Sequence, residues 1–355
     1  MVCSCTKPFS STITSGSATQ GGASSASATT SSSPCAENSA CSPIAKGRWT
    51  RARDRSPPRC WPNVCPSGDS LVDALPRQRV PACAGRFYEG TAERLREQVR
   101  ALLEPDVSHV ASPAIICPHA GLMYSGAVAG AVYSRVTLPS TAILVGPNHT
   151  GLGPPLSVYS EGEWLLPGGS LTVAADLARS FLARCPQAQP DHIAHLSEHC
   201  LEVQLPFLHA LRPDMQILPI VLGFRNLETC RAVGSALAAV IKEVSTPPLL
   251  IASTDLTHCG PGFGQSPPPG LTAEAFAHQQ DRLAIEAIHA LDGERLHQTV
   301  ETHQVTMCGY VPTTAVLFAA RTLGARQAQL VRYATSADVS GDVHRVVGYA
   351  GLIML

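Results

Sequence analysis

No apolar run in this chain approaches the roughly 20 residues that cross a bilayer as a helix. The start, Met1-Val2-Cys3-Ser4-Cys5-Thr6-Lys7, has no apolar stretch after its lysine, so it is not a secretory signal. Charge is sparse, at 15% of residues, and balanced to a formal net charge of −1, which removes nucleic acid as the main partner. There is no Gly-x-Ser-x-Gly elbow, which argues against a serine hydrolase of that type. No Gly-x-Gly-x-x-Gly or P-loop sequence points to a nucleotide cofactor. The chain reads as a cytoplasmic protein with no membrane partner.

Cysteine is plentiful, 13 in all, but lacks the spacing of a framework. Cys83, Cys117, Cys185, Cys200, Cys230, Cys259 and Cys308 are scattered, with no Cys-x-x-Cys pair among them. That argues against both a disulfide scaffold and a four-cysteine zinc site. Most are expected to be small buried apolar residues.

Residues 1–78 differ in kind from the rest. Ser10 to Ser33 is almost entirely Ser, Thr, Ala and Gly, too poor in apolar surface to offset its ordering entropy. A basic stretch then runs from Lys46 to Arg59. The reading is a disordered tail, with an organelle transit peptide ranked below it because Glu37, Asp54, Asp69 and Asp73 intervene.

From Arg79 to Leu355 strand and helix patterns alternate. Ala114–Cys117, Thr141–Val145, Met215–Leu222 and Leu249–Ser253 read as strands apolar on both faces, the third interrupted by Pro219. Thr91–Leu103, Ser125–Tyr133, Ala174–Ala183, Leu227–Val244, Ala273–Leu291 and Val311–Leu323 read as helices, and Ala328–Tyr333 and Val346–Met354 close with strands. The expected fold is α/β: a single three-layer domain over 79–355, with a largely parallel or mixed sheet flanked by helices.

Chemistry-bearing residues gather where these strands end. Pro118-His119-Ala120-Gly121 and Gly146-Pro147-Asn148-His149 each come after a buried strand, and Met307-Cys308-Gly309 forms a third loop. Ligands in such folds meet at the carboxyl ends of strands. Imidazole and thiolate suit late first-row metals, and three protein ligands leave a position open for chemistry. A structural histidine or a buried free cysteine is the plainer alternative for each taken alone. Asp255 and His258 come after the strand Leu249–Ser253, with His258 the candidate acid/base and Asp255 its orienting partner. Glu198, His199 and Glu202 are expected to line the site or to cap a helix start; if helical, the two carboxylates share a face. His192 and His195 read as loop residues with no assigned role.

Taken in order, these motifs resemble the Memo-like proteins, whose bacterial and archaeal members are the B component of the AmmeMemoRadiSam system. The resemblance runs from about Arg79 to Leu355. It rests on Pro81-Ala82-Cys83-Ala84-Gly85-Arg86-Phe87-Tyr88, the two histidine motifs with Tyr124-Ser125-Gly126, Glu198-His199 with Glu202 and Leu205-Pro206, Ser253-Thr254-Asp255 with His258, Cys308-Gly309, Ser340-Gly341-Asp342 and Val347-Gly348-Tyr349-Ala350. It implies a fold like class III extradiol dioxygenases and one iron or copper ion per chain on His119, His149 and Cys308. It places Asp255 and His258 in the site, with His258 where a dioxygenase holds its base. The thiolate in place of a carboxylate ligand tells against ordinary catechol cleavage. Leu122 and Cys200 stand where the family usually has an aromatic residue and a serine.

The resemblance further implies metal-dependent oxidation of an unknown small-molecule substrate, in company with AMMECR-like and radical-SAM proteins. Two rivals stay open: a non-catalytic module for phosphorylated or anionic peptides, and a metal chaperone or reservoir. An anion-binding pocket needs cations, and the five motifs contain no Lys or Arg.

Overall fold

In a computed structural model, residues 78–355 are described, so the tail reading for 1–78 lies outside the described residues apart from Gln78. The centre is four parallel strands in the order Gln216–Leu222, Thr141–Pro147, Leu249–Ser253, Ala114–Cys117. Val346–Met354 pairs antiparallel beyond Ala114–Cys117, and Ala328–Thr335 pairs antiparallel with it. On the other side Gly169–Val173 runs parallel to Gln216–Leu222 and forms a hairpin with Glu163–Leu166, which Gln78–Arg79 extends. The sheet is therefore mixed, and parallel at its centre.

The apolar-on-both-faces strands dictate the layers, because successive side chains point to opposite faces. Ile116, Ile143, Leu218 and Leu250 join one core with Leu237 and Val316. Their chain neighbours Ile115, Leu144, Ile217 and Ile251 join a second core with Leu95 and Val132. The first core is roofed by the helices Leu227–Glu243 and Tyr310–Thr322, the second by Ala92–Leu102 and Leu122–Tyr133. That is the three-layer α/β domain expected from the alternation.

Pro219 does not break its strand. Gly169–Val173 pairs only with Gln216 and Ile217, and Leu156–Val158 only with Ile220 to Leu222. The proline falls in the gap between these partners, where its missing N–H costs no ladder bond. Several elements escaped the sequence reading, two of them substantial. One is the hairpin turning at Pro167-Gly168, where Gly168 has φ +91°. The other is the helix Gly293–His303, capped by Asp292 accepting from the Arg295 N–H. No helix among the described residues is long and apolar enough to cross a membrane.

Candidate metal centre

The parallel strands deliver the residues just beyond them to one edge. Ala114–Cys117 leads to His119, Thr141–Pro147 to His149, and Leu249–Ser253 to Asp255 and His258. His119, His149 and His199 bring ring nitrogens within 4.8 Å of one another. The His119 and His149 ring centroids lie 5.2 Å apart, and those of His149 and His199 4.6 Å apart.

Buried acceptors set the tautomers. Ser253 Oγ donates to the Cys200 carbonyl at 2.6 Å and accepts from Gln204 Nε2 at 2.9 Å. Its remaining lone pair takes the His119 Nδ1–H, 3.0 Å away. His119 Nε2 is thereby left as a bare lone pair, aimed at Cys308 Sγ at 3.2 Å. Glu198 does the same for the second histidine, accepting from His149 Nδ1 at 2.8 Å and from its backbone N–H at 2.6 Å. Such partners orient metal-binding imidazoles and raise their basicity.

Cys308 reaches this cluster because Gly309 lets its loop press on the end of a strand. A Cβ there would sit 2.5 Å from Thr254 Cβ and 2.6 Å from the Ser253 carbonyl. The Asp255 N–H donates to Cys308 Sγ at 3.3 Å.

Burial works against charge on two of the imidazoles. Burial, then the neighbouring charges of His149 and His199, drive the His119 pKa well below the ordinary histidine value. Burial and His149 lower His199 to about 4. Burial opposes ionisation of Glu198, yet the hydrogen bond and charge of His149, followed by His199, hold its carboxyl at about 2. Burial and the Asp255 charge raise the Cys308 thiol, so without metal it keeps its proton and donates toward His119 Nε2. A metal ion bound there would have to replace that proton, as thiolate ligation requires. Three imidazoles, with the Cys308 sulfur beside His119, make a donor set that suits iron, copper or zinc.

Some expectations change in detail. Asp255 makes no hydrogen bond to His258. Its Oδ1 accepts the His119 and Ala120 N–H groups at 2.8 and 3.3 Å, because its strand lies beside Ala114–Cys117. His258 is oriented by main chain: Nδ1 meets the Leu256 and Thr306 carbonyls at 2.9 and 3.0 Å, and Nε2 has no hydrogen-bond partner among the described residues. Glu198 and Glu202 do not share a helix face, since Glu198 precedes the 3-10 turn Glu202–Gln204. Glu202 instead accepts from Cys83 N, Ala82 N and Tyr88 OH, and pairs with Arg79 at 2.6 Å, both side chains fully buried. Cys200 is buried and donates to the Pro147 carbonyl at 3.1 Å, while Leu122 is buried at the start of its helix. His195 is not a loop residue: it lies in the short helix Ile193–Leu196, fully buried, with Nε2 3.0 Å from Ser157 Oγ.

Three residues escaped sequence reasoning as site supports. Ser253 belonged to a motif but carried no stated role, and Gln204 was assigned none. Arg79 donates to the His195 and Glu198 carbonyls, both at 2.7 Å, so it holds the segment that carries Glu198 and His199. Its partners lie more than 100 positions away, and no local pattern announces such a link.

Residues 79–353 match the model of a family described as "Memo-like protein". A MEMO1 family protein of Aquifex aeolicus is 40% identical over 281 residues, covering 79% of this chain and 100% of that protein. One from Methanosarcina mazei is 39% identical, covering 78% and 98%. One from Methanopyrus kandleri is 36% identical, again covering 78% and 98%.

Proposed function

The chain belongs to the Memo-like protein family, and from that premise we propose that it is a redox protein built around one iron or copper ion. His119, His149 and Cys308 hold the ion, with His199 beside them as a further donor. The observation that carries this reading is the double tautomer lock. Ser253 and Glu198 consume the Nδ1 protons of His119 and His149, which leaves two Nε2 lone pairs for a metal.

A bound iron or copper supplies one-electron chemistry and an open position for dioxygen or substrate. The chain's residues do the rest. His258, with Nδ1–H committed to two carbonyls, presents a basic Nε2 that takes or returns a substrate proton. Asp255 tethers the His119 loop and keeps that imidazole in place. The substrate is a small molecule, and the family context adds AMMECR-like and radical-SAM proteins as cytoplasmic partners.

The test is metal content and redox spectrum of anaerobically purified protein, wild type beside Cys308→Ser. About one iron or copper per chain, sharply reduced in the variant, is the expected result. Unchanged metal in Cys308→Ser sinks the ligand assignment, and no transition metal even after reconstitution favours the peptide-binding module. In a metal reservoir His258→Ala leaves behaviour intact. In an oxidising enzyme it costs about 10²–10⁴ in rate.

A further inference from the structure

A cavity of about 640 Å³ opens beside the metal centre, with His149 and Cys308 in its wall. It is a size that takes a small organic molecule. Leu222, Phe224, Val300, Val305 and Val311 supply an apolar wall.

The polar groups lining it are almost all spoken for. Asn148 uses its amide on the Leu152 carbonyl and its oxygen on Thr150 and Gly151. Thr306 Oγ1 is shared among His258 and Gln265. Glu301 is the only carboxylate in the wall, and the Tyr310 hydroxyl donates to it at 2.6 Å. Besides the Gln304 amide, what remains is Arg225, the only lysine or arginine lining the cavity. Among the described residues its guanidinium has neither a salt bridge nor a hydrogen bond, while the His297 ring pins its carbonyl at 2.8 Å.

We propose that this cavity binds the substrate and that Arg225 selects for an anionic group, so the substrate is a small organic anion with an apolar body. The inference rests on the metal-centre reading, because it places the reacting end of the substrate at the metal. A planar guanidinium pairs with a carboxylate or phosphate through two parallel hydrogen bonds. It also supplies the cation that the histidine, cysteine and carboxylate motifs lack. Arg225 lies just beyond the strand Gln216–Leu222, the one central parallel strand whose end carries no metal-binding motif.

The test uses probes with a metal-chelating hydroxamate head. A series of ω-carboxyalkyl hydroxamates with two to five methylenes is compared with the corresponding methyl esters. Each is titrated into metal-loaded and metal-free full-length protein, wild type and Arg225→Gln. The expected result is metal-dependent binding in which the best-length carboxylate exceeds its ester about tenfold, as a charge-assisted pair allows. Arg225→Gln should abolish that preference while leaving ester affinity and metal content unchanged. Raising the salt should shrink the preference in the wild type, because the guanidinium faces solvent. Metal-dependent binding with equal affinity for carboxylate and ester at every length overturns this proposal and leaves the metal centre standing. Probe binding identical with and without metal overturns the metal-centre reading instead.

Discussion

Ser253→Ala isolates the tautomer lock on His119. The substitution removes one hydroxyl that makes three buried contacts: to the Cys200 carbonyl, Gln204 Nε2 and His119 Nδ1. Gln204 keeps the Pro118 carbonyl at 2.9 Å, so it is not stranded. The Cys200 carbonyl and His119 Nδ1 are, and each unsatisfied buried group costs about 1–3 kcal/mol. The expected loss is about 2–6 kcal/mol, which for a domain of this size lowers Tm by about 4–24 °C. The metal effect is separate. Without its acceptor the ring is free to carry its proton on Nε2, and loss of such a partner costs about 10–100-fold in metal affinity. The assay is a competition titration against a chromophoric chelator, with thermal melts of the metal-free protein alongside. Ser134→Ala serves as a control, since that hydroxyl bonds the Gly130 carbonyl and the Glu104 N–H. It should lose stability at unchanged metal affinity. If Ser253→Ala loses stability but keeps metal affinity within about twofold, well short of the 10–100-fold loss, the lock is not what prepares His119.

Arg79→Met leaves Glu202 as an uncompensated buried charge and should destabilise by about 3–5 kcal/mol; denaturant unfolding that shows Arg79→Met/Glu202→Leu no more stable than Arg79→Met would refute the pairing. The His199 pKa falls from the ordinary 6.5 to about 4 through burial and the His149 charge, so the folded state binds fewer protons than the unfolded chain in that window. Stability of the metal-free protein should therefore decline as pH drops from 6.5 toward 4, and His199→Gln should flatten that limb of a pH series of melts. Glu198, held at about 2, adds a second acid limb below pH 4.5 that Glu198→Gln should remove. Gly348→Ala would place a Cβ 1.9 Å from Asp281 Oδ2, a carboxylate buried on Thr257 N–H and Tyr333 OH. Overpacking of this kind costs about 1–3 kcal/mol, and a melt equal to wild type would show that the Asp281 side chain escapes freely.

Much of this architecture was legible because its signals are local. A strand such as Leu249–Ser253 is apolar at every position only when both faces are buried, and its alternate residues do enter the two cores. The histidines after Pro118 and Pro147 were visible for the same reason, since a proline closing a short apolar run marks the end of a strand. The missed features depend on distance along the chain. Arg79 looks like any surface arginine until Glu202 and the Glu198 carbonyl are brought to it. Asp255 and His258 are three residues apart and read naturally as a pair. The parallel pairing of their strand with Ala114–Cys117 turns the carboxylate to the His119 loop instead.

The sequence by itself determined the three-layer α/β class, the family and which segments carry histidine and cysteine side chains at strand ends, because periodicity and residue chemistry are properties of short segments. Only the tertiary structure decided which nitrogens of His119 and His149 are free, which carboxylate locks which ring, and that Arg225 lines the neighbouring cavity with no ion pair among the described residues. Those are matters of distance and direction between segments up to 189 positions apart, as for His119 and Cys308. Hydrogen bonds and charges act over a few ångströms of space, and no local pattern of residues encodes that proximity.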